Sequence, residues 1–305
     1  MFNRNNPYFD QVALLVALLP LVKEESCFAL KGGTAINLFM NDLPRLSVDI
    51  DLVYLPIEAR LESLANITQA MVRISDRINR VMKDVTVTKQ KDKDKNVLKL
   101  LIKRNGIQVK IEVSPVLRGS VLEPVMKDVA KAIEEEFSFT QMLLLHRHEV
   151  YAGKLCAALD RQHPRDLFDI KILMDTEGIS NELMEVFLIY LISGNRPIAE
   201  MLVPQLTPLE RIYNEQFAGM ELTEITLGDL ENTREHLINE IHRKLSENHK
   251  RFLLSFKSAE PDWGLLMHKQ AETLPAVQWK LKNIQNMPGQ KHTNALAKLE
   301  KVLYG

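Results

Sequence analysis

Apolar residues recur with two periods along the first part of the chain, every three to four positions in some segments and every second position in others. The first spacing predicts helices and the second predicts strands. We predict helices at residues 7–25, 34–40 and 57–81, and strands at 27–30, 48–55, 85–88, 97–103 and 107–113. Asn105-Gly106, between the last two strands, is a typical two-residue hairpin turn. These segments indicate a small mixed sheet that carries helices.

Beyond Pro115 the helical spacing continues over nearly all of the remaining length, and we predict no further strand. Helices are expected near residues 123–136, 148–160, 165–176, 181–193, 207–217, 227–257 and 293–303. The predicted fold class is therefore α+β, with a small mixed-sheet lobe at residues 1–118 and a mainly α-helical lobe at residues 119–305.

The composition is that of an ordinary globular protein, with 305 residues, 46% hydrophobic and 26% charged. A net charge of -1 gives no general attraction to nucleic acid, so any such binding depends on local patches. Cys27 and Cys156 both lie in apolar segments, which favours a reducing compartment over a disulfide. The apolar run at residues 12–22 is too short to cross a bilayer, and we interpret it as a buried helix of a cytoplasmic protein with no membrane contact.

The strand predicted at residues 48–55 carries two carboxylates, Asp49 and Asp51, among apolar neighbours. Side chains two positions apart on a strand share a face, so these two carboxylates project together. Their repulsion is relieved if a cation lies between them, and oxygen ligands favour Mg²⁺ or Mn²⁺. The alternative is that one Asp caps a turn while the other is solvated.

A glycine turn precedes this strand, at Gly32-Gly33-Thr34. Glycine lets the backbone approach a ligand closely, and the N–H groups at the start of a helix attract phosphate. Gly-Gly is also common in ordinary tight turns, and Thr34 is either a helix cap or a hydroxyl that contacts phosphate.

A second polar alternation occurs at residues 109–113, where Lys110 and Glu112 share one strand face. If this strand lies beside the first, Glu112 becomes a third carboxylate near Asp49 and Asp51. Three carboxylates and a phosphate-binding turn suit a two-metal reaction in which a hydroxyl attacks a triphosphate. The pattern indicates nucleotidyl transfer.

Ser47 lies two residues before Asp49 and would share its strand face. We hypothesise that a phosphoryl or nucleotidyl group on Ser47 is a regulatory modification, because it would place negative charge beside the metal site.

Four motifs resemble, in order and spacing, those of the AbiEii/AbiGii nucleotidyltransferase toxins, which include the MenT toxins and belong to the DNA polymerase β-like nucleotidyltransferase superfamily. The likeness spans roughly residues 30–170. The motifs are Gly33-Thr34 with Asp49-Ile-Asp51, then Lys110-Ile-Glu112, His146-Arg-His-Glu-Val-Tyr-Ala-Gly-Lys154, and Arg165-Asp-Leu-Phe-Asp169.

The resemblance implies a role for each matched residue. Asp49 and Asp51 would hold Mg²⁺ (or Mn²⁺), Glu112 would complete the metal or base position, and Lys154 would contact the triphosphate of the NTP. Residues 146–170 would thereby complete the nucleotide site. The implied nucleotide-binding set is Gly32, Gly33, Thr34, Lys110, Tyr151, Arg165, Asp166 and Asp169. The family more often has Ser at the position of Thr34, which keeps the hydroxyl.

The residues of the later motifs agree with these roles but leave alternatives open. Tyr151 and Lys154 share a helix face, so a tyrosine ring could stack on a base beside an ammonium that holds phosphate. The alternative is a core tyrosine and a lysine that packs its stem. Asp166 either contacts the site or orients Lys154 or Arg165.

The resemblance implies the toxin of a toxin–antitoxin or phage-defence pair, which transfers NMP from an NTP to a hydroxyl acceptor and blocks translation. We expect a cognate protein antitoxin as partner, the tRNA 3′ end as acceptor, and a monomer. The rivals are a transferase that acts on a protein or small molecule, and a catalytically silent regulator that binds nucleotide or antitoxin.

Clustered cations in the helical part are candidates for holding the acceptor, although acidic residues mixed among them favour ordinary solvated helix faces. The candidates are His242, Arg243, Lys244, His249, Lys250, Arg251, Lys269, Lys280, Lys282, Lys291, His292, Lys298 and Lys301, with Trp263 and Trp279 interleaved.

Overall fold

The computed structural model describes residues 8–222 and 224–305. The chain forms two compact units. The first runs to Val150 and includes Gly219–Glu224, and the second comprises Tyr151–Ala218 and Ile225–Gly305. The first unit therefore continues well past residue 118, where we predicted the end of the α/β lobe.

In its described residues, the first unit contains a seven-stranded mixed sheet and four α-helices. The strands are β1 (Phe28–Lys31), β2 (Asp49–Tyr54), β3 (Thr86–Lys91), β4 (Val97–Arg104), β5 (Ile107–Arg118), β6 (Val125–Asp128) and β7 (Gln141–Leu144). The helices are α1 (Phe9–Lys23), α2 (Gly32–Ala35), which continues as a π-helical turn (Ile36–Met40), α3 (Arg60–Val81) and α4 (Lys131–Glu136).

The strand order is β3-β4-β5-β2-β1-β7-β6. The pairs β2–β5 and β1–β7 are parallel, and the other neighbouring pairs are antiparallel. Helices α1 and α3 contact each other and pack against β3, β4, β5 and β7. They cover the face that carries buried Leu100, Ile102, Val109 and Ile111, so the alternate side chains of these strands point to the opposite face.

The predicted α+β fold is confirmed, and most predicted elements of the first unit are present. The helix predicted from residue 7 is observed from Phe9 to Lys23, and residue 7 itself lies outside the described residues. The Asn105-Gly106 turn joins β4 to β5 with φ of 48° and 84°, as a type I′ hairpin turn requires.

Two predictions for residues beyond Pro115 were wrong. Strand β5 extends to Arg118 and two more strands follow, and in place of one helix at 123–136 the chain forms strand β6 and a short helix from Lys131. Both extra strands have only four residues, and β7 pairs with β1, more than a hundred residues earlier in the chain. Such short strands depend on distant partners rather than on local periodicity.

The second unit is helical. Its helices are α5 (Arg147–Arg161, which begins just before the unit boundary), α6 (Pro164–Thr176), α7 (Asn181–Ser193), α8 (Ile198–Leu202), α9 (Glu210–Gln216), α10 (Leu227–Lys244), α11 (Glu247–Lys257), α12 (Pro275–Gln285) and α13 (Gly289–Tyr304). Short 3₁₀ turns occur at Trp263–Leu265 and Lys269–Thr273.

The single helix predicted at 227–257 is two helices, because the Ser246 hydroxyl accepts a hydrogen bond from the His249 N–H and starts α11. Helices α8 and α12 were not predicted. In the described part of the chain, no helix combines the length and apolar composition that crossing a bilayer requires.

Candidate active site

The glycine turn lies where β1 passes into α2, against the strand that carries the paired aspartates. Lys31 is the Cα partner of Asp51. Gly32 has φ of +74°, and a Cβ at this position would lie 2.8 Å from Oδ2 of Asp51. Only glycine combines this backbone conformation with room for the carboxylate. The turn and Asp51 are thus in direct proximity.

Gly33 has a different reason to lack a side chain. A Cβ there would lie 2.7 Å from Nη2 of Arg45 and 3.2 Å from Oγ of Ser47. Arg45 is only 2% exposed, and its Nη1 donates to the carbonyl of Leu46 over 2.9 Å. Arg45 was not predicted as part of this region, because nothing in its spacing indicates that it folds back onto the glycine turn.

Two hydroxyl groups connect the turn to the start of β2. Oγ1 of Thr34 lies 2.9 Å from Oγ of Ser47 and also donates to the carbonyl of Asp49. Thr34 is 1% exposed and Ser47 is 6% exposed. The Thr34 hydroxyl therefore positions Asp49 rather than capping α2, and its predicted contact with phosphate stays a prediction.

The third carboxylate lies beside the first two. Strand β5 pairs in parallel with β2, with Asp49 opposite Lys110 and Asp51 opposite Glu112. Partners in register point to the same face, so the structure brings together the four side chains of the two predicted motifs. The side chains of Asp49, Lys110 and Glu112 are about one-third exposed.

Lysine side chains offset part of the negative charge of these carboxylates. Nζ of Lys110 lies 3.0 Å from Oε2 of Glu112 and 3.9 Å from Oδ2 of Asp49. Nζ of Lys99 lies 3.1 Å from Oε1 of Glu112. Burial alone would lower the pKa of Lys110 and raise that of Glu112, but their hydrogen bond and the neighbouring charges reverse both effects, so the Lys110 pKa is raised and the Glu112 pKa is lowered.

We did not predict from the sequence that Lys99 lies at this site, although the sequence contains a pattern that indicates it. The two-residue turn at Asn105-Gly106 fixes the register of β4 against β5, and counting outward from it places Lys99 opposite Glu112.

The carboxylates have the oxygen ligands that Mg²⁺ prefers. Within residues 8–222 and 224–305 no three His, Cys, Asp or Glu side chains converge as a group that could hold a metal ion. Lys110 lies among the carboxylates instead, so binding of a divalent cation would require its ammonium group to move.

Lys154 lies in a separate buried charge cluster in the second unit. Its Nζ is 2.7 Å from Oδ1 of Asp166 and 2.9 Å from Oδ2 of Asp169, and all three side chains are at least nine-tenths buried. Nε of Arg161 also contacts Asp166, over 2.6 Å. Burial would raise the pKa of Asp166, but Lys154 and Arg161 outweigh it and hold that pKa well below its usual range.

This cluster bears on the alternatives left open for the later motifs. Asp166 accepts a hydrogen bond from Lys154, as expected if its role is to orient that lysine. Arg161 is a further partner of Asp166 that was not predicted. Arg165 is partly exposed and lies in the first turn of α6, where its N–H donates to Nδ1 of His163. Tyr151 is 1% exposed, which favours the core-tyrosine alternative over base stacking.

Lys280, a candidate for holding the acceptor, has a structural role. Its Nζ donates to the carbonyls of Gly194, Asn195 and Arg196, the segment between α7 and α8. Burial lowers its pKa to about 8, and the charge of Lys257 acts in the same direction. Among the other candidates, Arg243 pairs with Glu240 over 2.6 Å and Lys298 with Glu200 over 2.9 Å. These contacts favour solvated and structural cations over one acceptor patch.

A mixed sheet with paired aspartates on a central strand beside a glycine turn is an arrangement that suits a nucleotidyltransferase. A family model described as "Nucleotidyl transferase AbiEii toxin, Type IV TA system" matches residues 13–283. The chain belongs to this family. It is therefore the toxin nucleotidyltransferase of a type IV toxin–antitoxin system, which implies a cognate antitoxin.

A solved structure shares the fold at low sequence identity. The nucleotidyltransferase toxin MenT4 of Mycobacterium tuberculosis H37Rv is 17% identical with a TM-score of 0.58, over 97% of this chain and 95% of that chain. Terminal uridylyl transferase 4 of Trypanosoma brucei, with bound dUTP, is 12% identical over 98% of this chain and 92% of that chain, with a TM-score of 0.30. A search of curated protein sequences gave no match.

Substituting Gly32 tests the contact between the turn and Asp51. We expect Gly32→Ala to destabilise the protein by about 1–3 kcal/mol through backbone strain and to lower nucleotidyl transfer further by displacing the Asp51 carboxylate. Gly106→Ala is the matched control, because Gly106 has φ of +84° but nothing within 4 Å of a Cβ. Urea unfolding and kcat/KM measure the two effects, and equal losses of activity in both variants would contradict the contact.

The role of Lys280 predicts that Lys280→Met lowers the free energy of unfolding by about 1–3 kcal/mol, because three carbonyl groups lose their donor. Lys282→Met, an exposed position on the same helix, should change it by less than about 0.5 kcal/mol. Thermal or urea unfolding of both variants measures the difference, and two equally stable variants would refute the structural role.

Proposed function

We propose that this toxin transfers a nucleoside monophosphate from an NTP to the 3′ hydroxyl of tRNA and releases pyrophosphate, which blocks translation. The observation that carries the proposal is the parallel pairing of β2 with β5, which gathers Asp49, Asp51 and Glu112 on one sheet face beside the glycine turn. Several carboxylates on one face can bind cations, and the backbone of the adjacent glycine turn can approach a triphosphate closely. The arrangement therefore suits the binding of both together.

The three carboxylates would hold Mg²⁺ or Mn²⁺, whose oxygen preference they match. When bound, the metal supplies positive charge at the phosphate oxygens and at the leaving group. Lys110 offsets the repulsion among the carboxylates and, once displaced from Glu112, carries its ammonium group to a phosphate oxygen. The backbone of Gly32 and Gly33 approaches the triphosphate without steric hindrance.

The transfer itself balances without a further reagent. The acceptor oxygen bonds to the α-phosphorus while the bond from that phosphorus to the bridging oxygen breaks, and pyrophosphate leaves with the bonding electrons. One of the carboxylates accepts the hydroxyl proton.

For Lys154 we propose contact with the triphosphate, in keeping with its place in the family motifs. Its ammonium lies between Asp166 and Asp169, which fix its position on α5. A lysine held in this way is a rigid point charge, and an approaching triphosphate would share it with the two carboxylates. For Arg165, which is partly exposed in the first turn of α6, we likewise propose contact with the nucleotide. We further propose a cytoplasmic monomer that acts in phage defence until its antitoxin neutralises it.

The proposed chemistry predicts that Asp49→Asn lowers transfer of labelled NMP by about 100-fold or more, the scale of losing one charged group at the reacting phosphate. Lys154→Met should have a comparable effect. Asp175→Asn, which changes an exposed aspartate paired with Lys171, is the matched control and should retain full activity. Purified protein is incubated with each labelled NTP and with total RNA, a protein fraction or a small-molecule fraction.

The destination of the label decides between acceptors. Label on tRNA supports the proposal, and label only on protein or a small molecule assigns a different acceptor to the same chemistry. If Asp49→Asn and Lys154→Met both still inhibit growth without antitoxin, the toxin does not act through this chemistry.

Ser47 is proposed as the site of a regulatory modification. Its Oγ lies 2.9 Å from Oγ1 of Thr34 and next to Gly33, so an added phosphoryl or nucleotidyl group would occupy the glycine turn. Because Ser47 is 6% exposed, the modifying enzyme must first open this region. Mass spectrometry of the toxin co-expressed with its neighbouring gene should find the added mass on Ser47. An unmodified toxin that is nevertheless inhibited would exclude this mechanism.

A further inference from the structure

The sheet face with the three carboxylates continues past them, across β4 to β3. In register, Asp51 and Glu112 are followed by Lys99 and then Gln90. The next row passes from Lys110 through Leu101 to Thr88, and a third from Gln108 through Lys103 to Thr86. We call the outer part of this surface the hairpin face. It consists of Thr86, Thr88, Gln90, Lys99, Lys103 and Gln108.

The hairpin face is open and cationic. Thr86, Thr88, Gln90, Lys103 and Gln108 are exposed, and the Lys99 side chain is 32% exposed. Strands β3 and β4 contain no carboxylate. The opposite face is different, because α3 packs against it and Lys89 on that face pairs with Asp76 over 3.1 Å. Unpaired positive charge is thus directed to the hairpin face at Lys103.

The strand order separates two approaches to the carboxylates. The glycine turn follows β1, on one side of β2, while β5, β4 and β3 extend from its other side. A triphosphate at the turn would leave the opposite side free for the acceptor. The distance from β2 to β3 is about 14 Å, three strand spacings, so an extended chain on the hairpin face would deliver its end to Asp49 and Asp51.

We propose that the hairpin face binds the single-stranded 3′ end of an RNA acceptor. Lys99 and Lys103 contact its phosphates, and the hydroxyl and amide groups of Thr86, Thr88 and Gln90 bond to phosphate or ribose oxygens. These contacts read the backbone rather than the bases. The inference rests on the proposed function, since it assigns the acceptor of that reaction a location.

Lys103→Gln and Lys89→Gln form a matched pair, because they remove the same charge from neighbouring strands on opposite faces of the sheet. Binding of a short fluorescent single-stranded RNA with a free 3′ hydroxyl is measured by anisotropy over a range of salt concentrations. For Lys103→Gln we expect weaker binding and a salt dependence of log Kd shallower by about 0.7, the value for one lost phosphate contact with a single strand. Lys89→Gln should bind as the wild type does.

A second variant and a kinetic readout keep the test independent of folding. Gln90→Glu adds negative charge to the same face and should weaken RNA binding several-fold, with thermal unfolding confirming that each variant is folded. In the transfer assay, Lys103→Gln should raise KM for the RNA several-fold while KM for the NTP and kcat stay within twofold.

The outcomes separate the hairpin face from the proposed function. Equal RNA binding by the wild type and Lys103→Gln, or equal weakening by Lys89→Gln, would overturn the inference even if tRNA is labelled. Label transferred only to protein would likewise overturn RNA as the occupant. Face-dependent RNA binding without any nucleotidyl transfer would retain the hairpin face and reject the proposed reaction.

Discussion

Mutual repulsion among three carboxylates on neighbouring strands is the constraint that the first unit has to accommodate. Asp49, Asp51 and Glu112 are placed together by the β2–β5 register, and that register is held by buried residues such as Ile50 and Ile111 on the other face. The hydrophobic core thus forces like charges together, and Lys110 and Lys99 compensate part of the cost. A bound cation would be another means of compensation, and it would compete with Lys110 for one position.

The glycine turn fits closely against the strand that carries these carboxylates. Gly32 leaves room for the Asp51 carboxylate, and Gly33 leaves room for the guanidinium of Arg45. Thr34 then joins the turn to the backbone at Asp49. Positions that resemble one phosphate-binding motif in the sequence therefore have separate structural roles. Together they fix the distance between the turn and the strand that carries Asp49 and Asp51.

Local patterns in the sequence were sufficient for part of this structure. The alternation at Asp49 and Asp51, the hairpin turn at Asn105-Gly106 and the amphipathic helix α3 are encoded by nearby residues, so they could be predicted. The parallel pairing of β2 with β5, the strands β6 and β7, and the contact of Arg45 with Gly33 depend on residues far apart in sequence. The periodicity of apolar residues does not predict such contacts. The hydrogen bonds of Lys280 to loop carbonyls could not be predicted either, because lysine on a helix is most often an exposed residue.

The turn at Asn105-Gly106 has a consequence for how this family can vary in length. One residue inserted there would move Lys99 away from Glu112 and turn every outer side chain of β4 toward the helices. The connection at residues 92–96, between β3 and β4, lies at the far end of the hairpin from this turn and is less constrained, because only the outermost strand depends on it. Insertions and deletions should therefore accumulate at residues 92–96 and be absent from the Asn105-Gly106 turn.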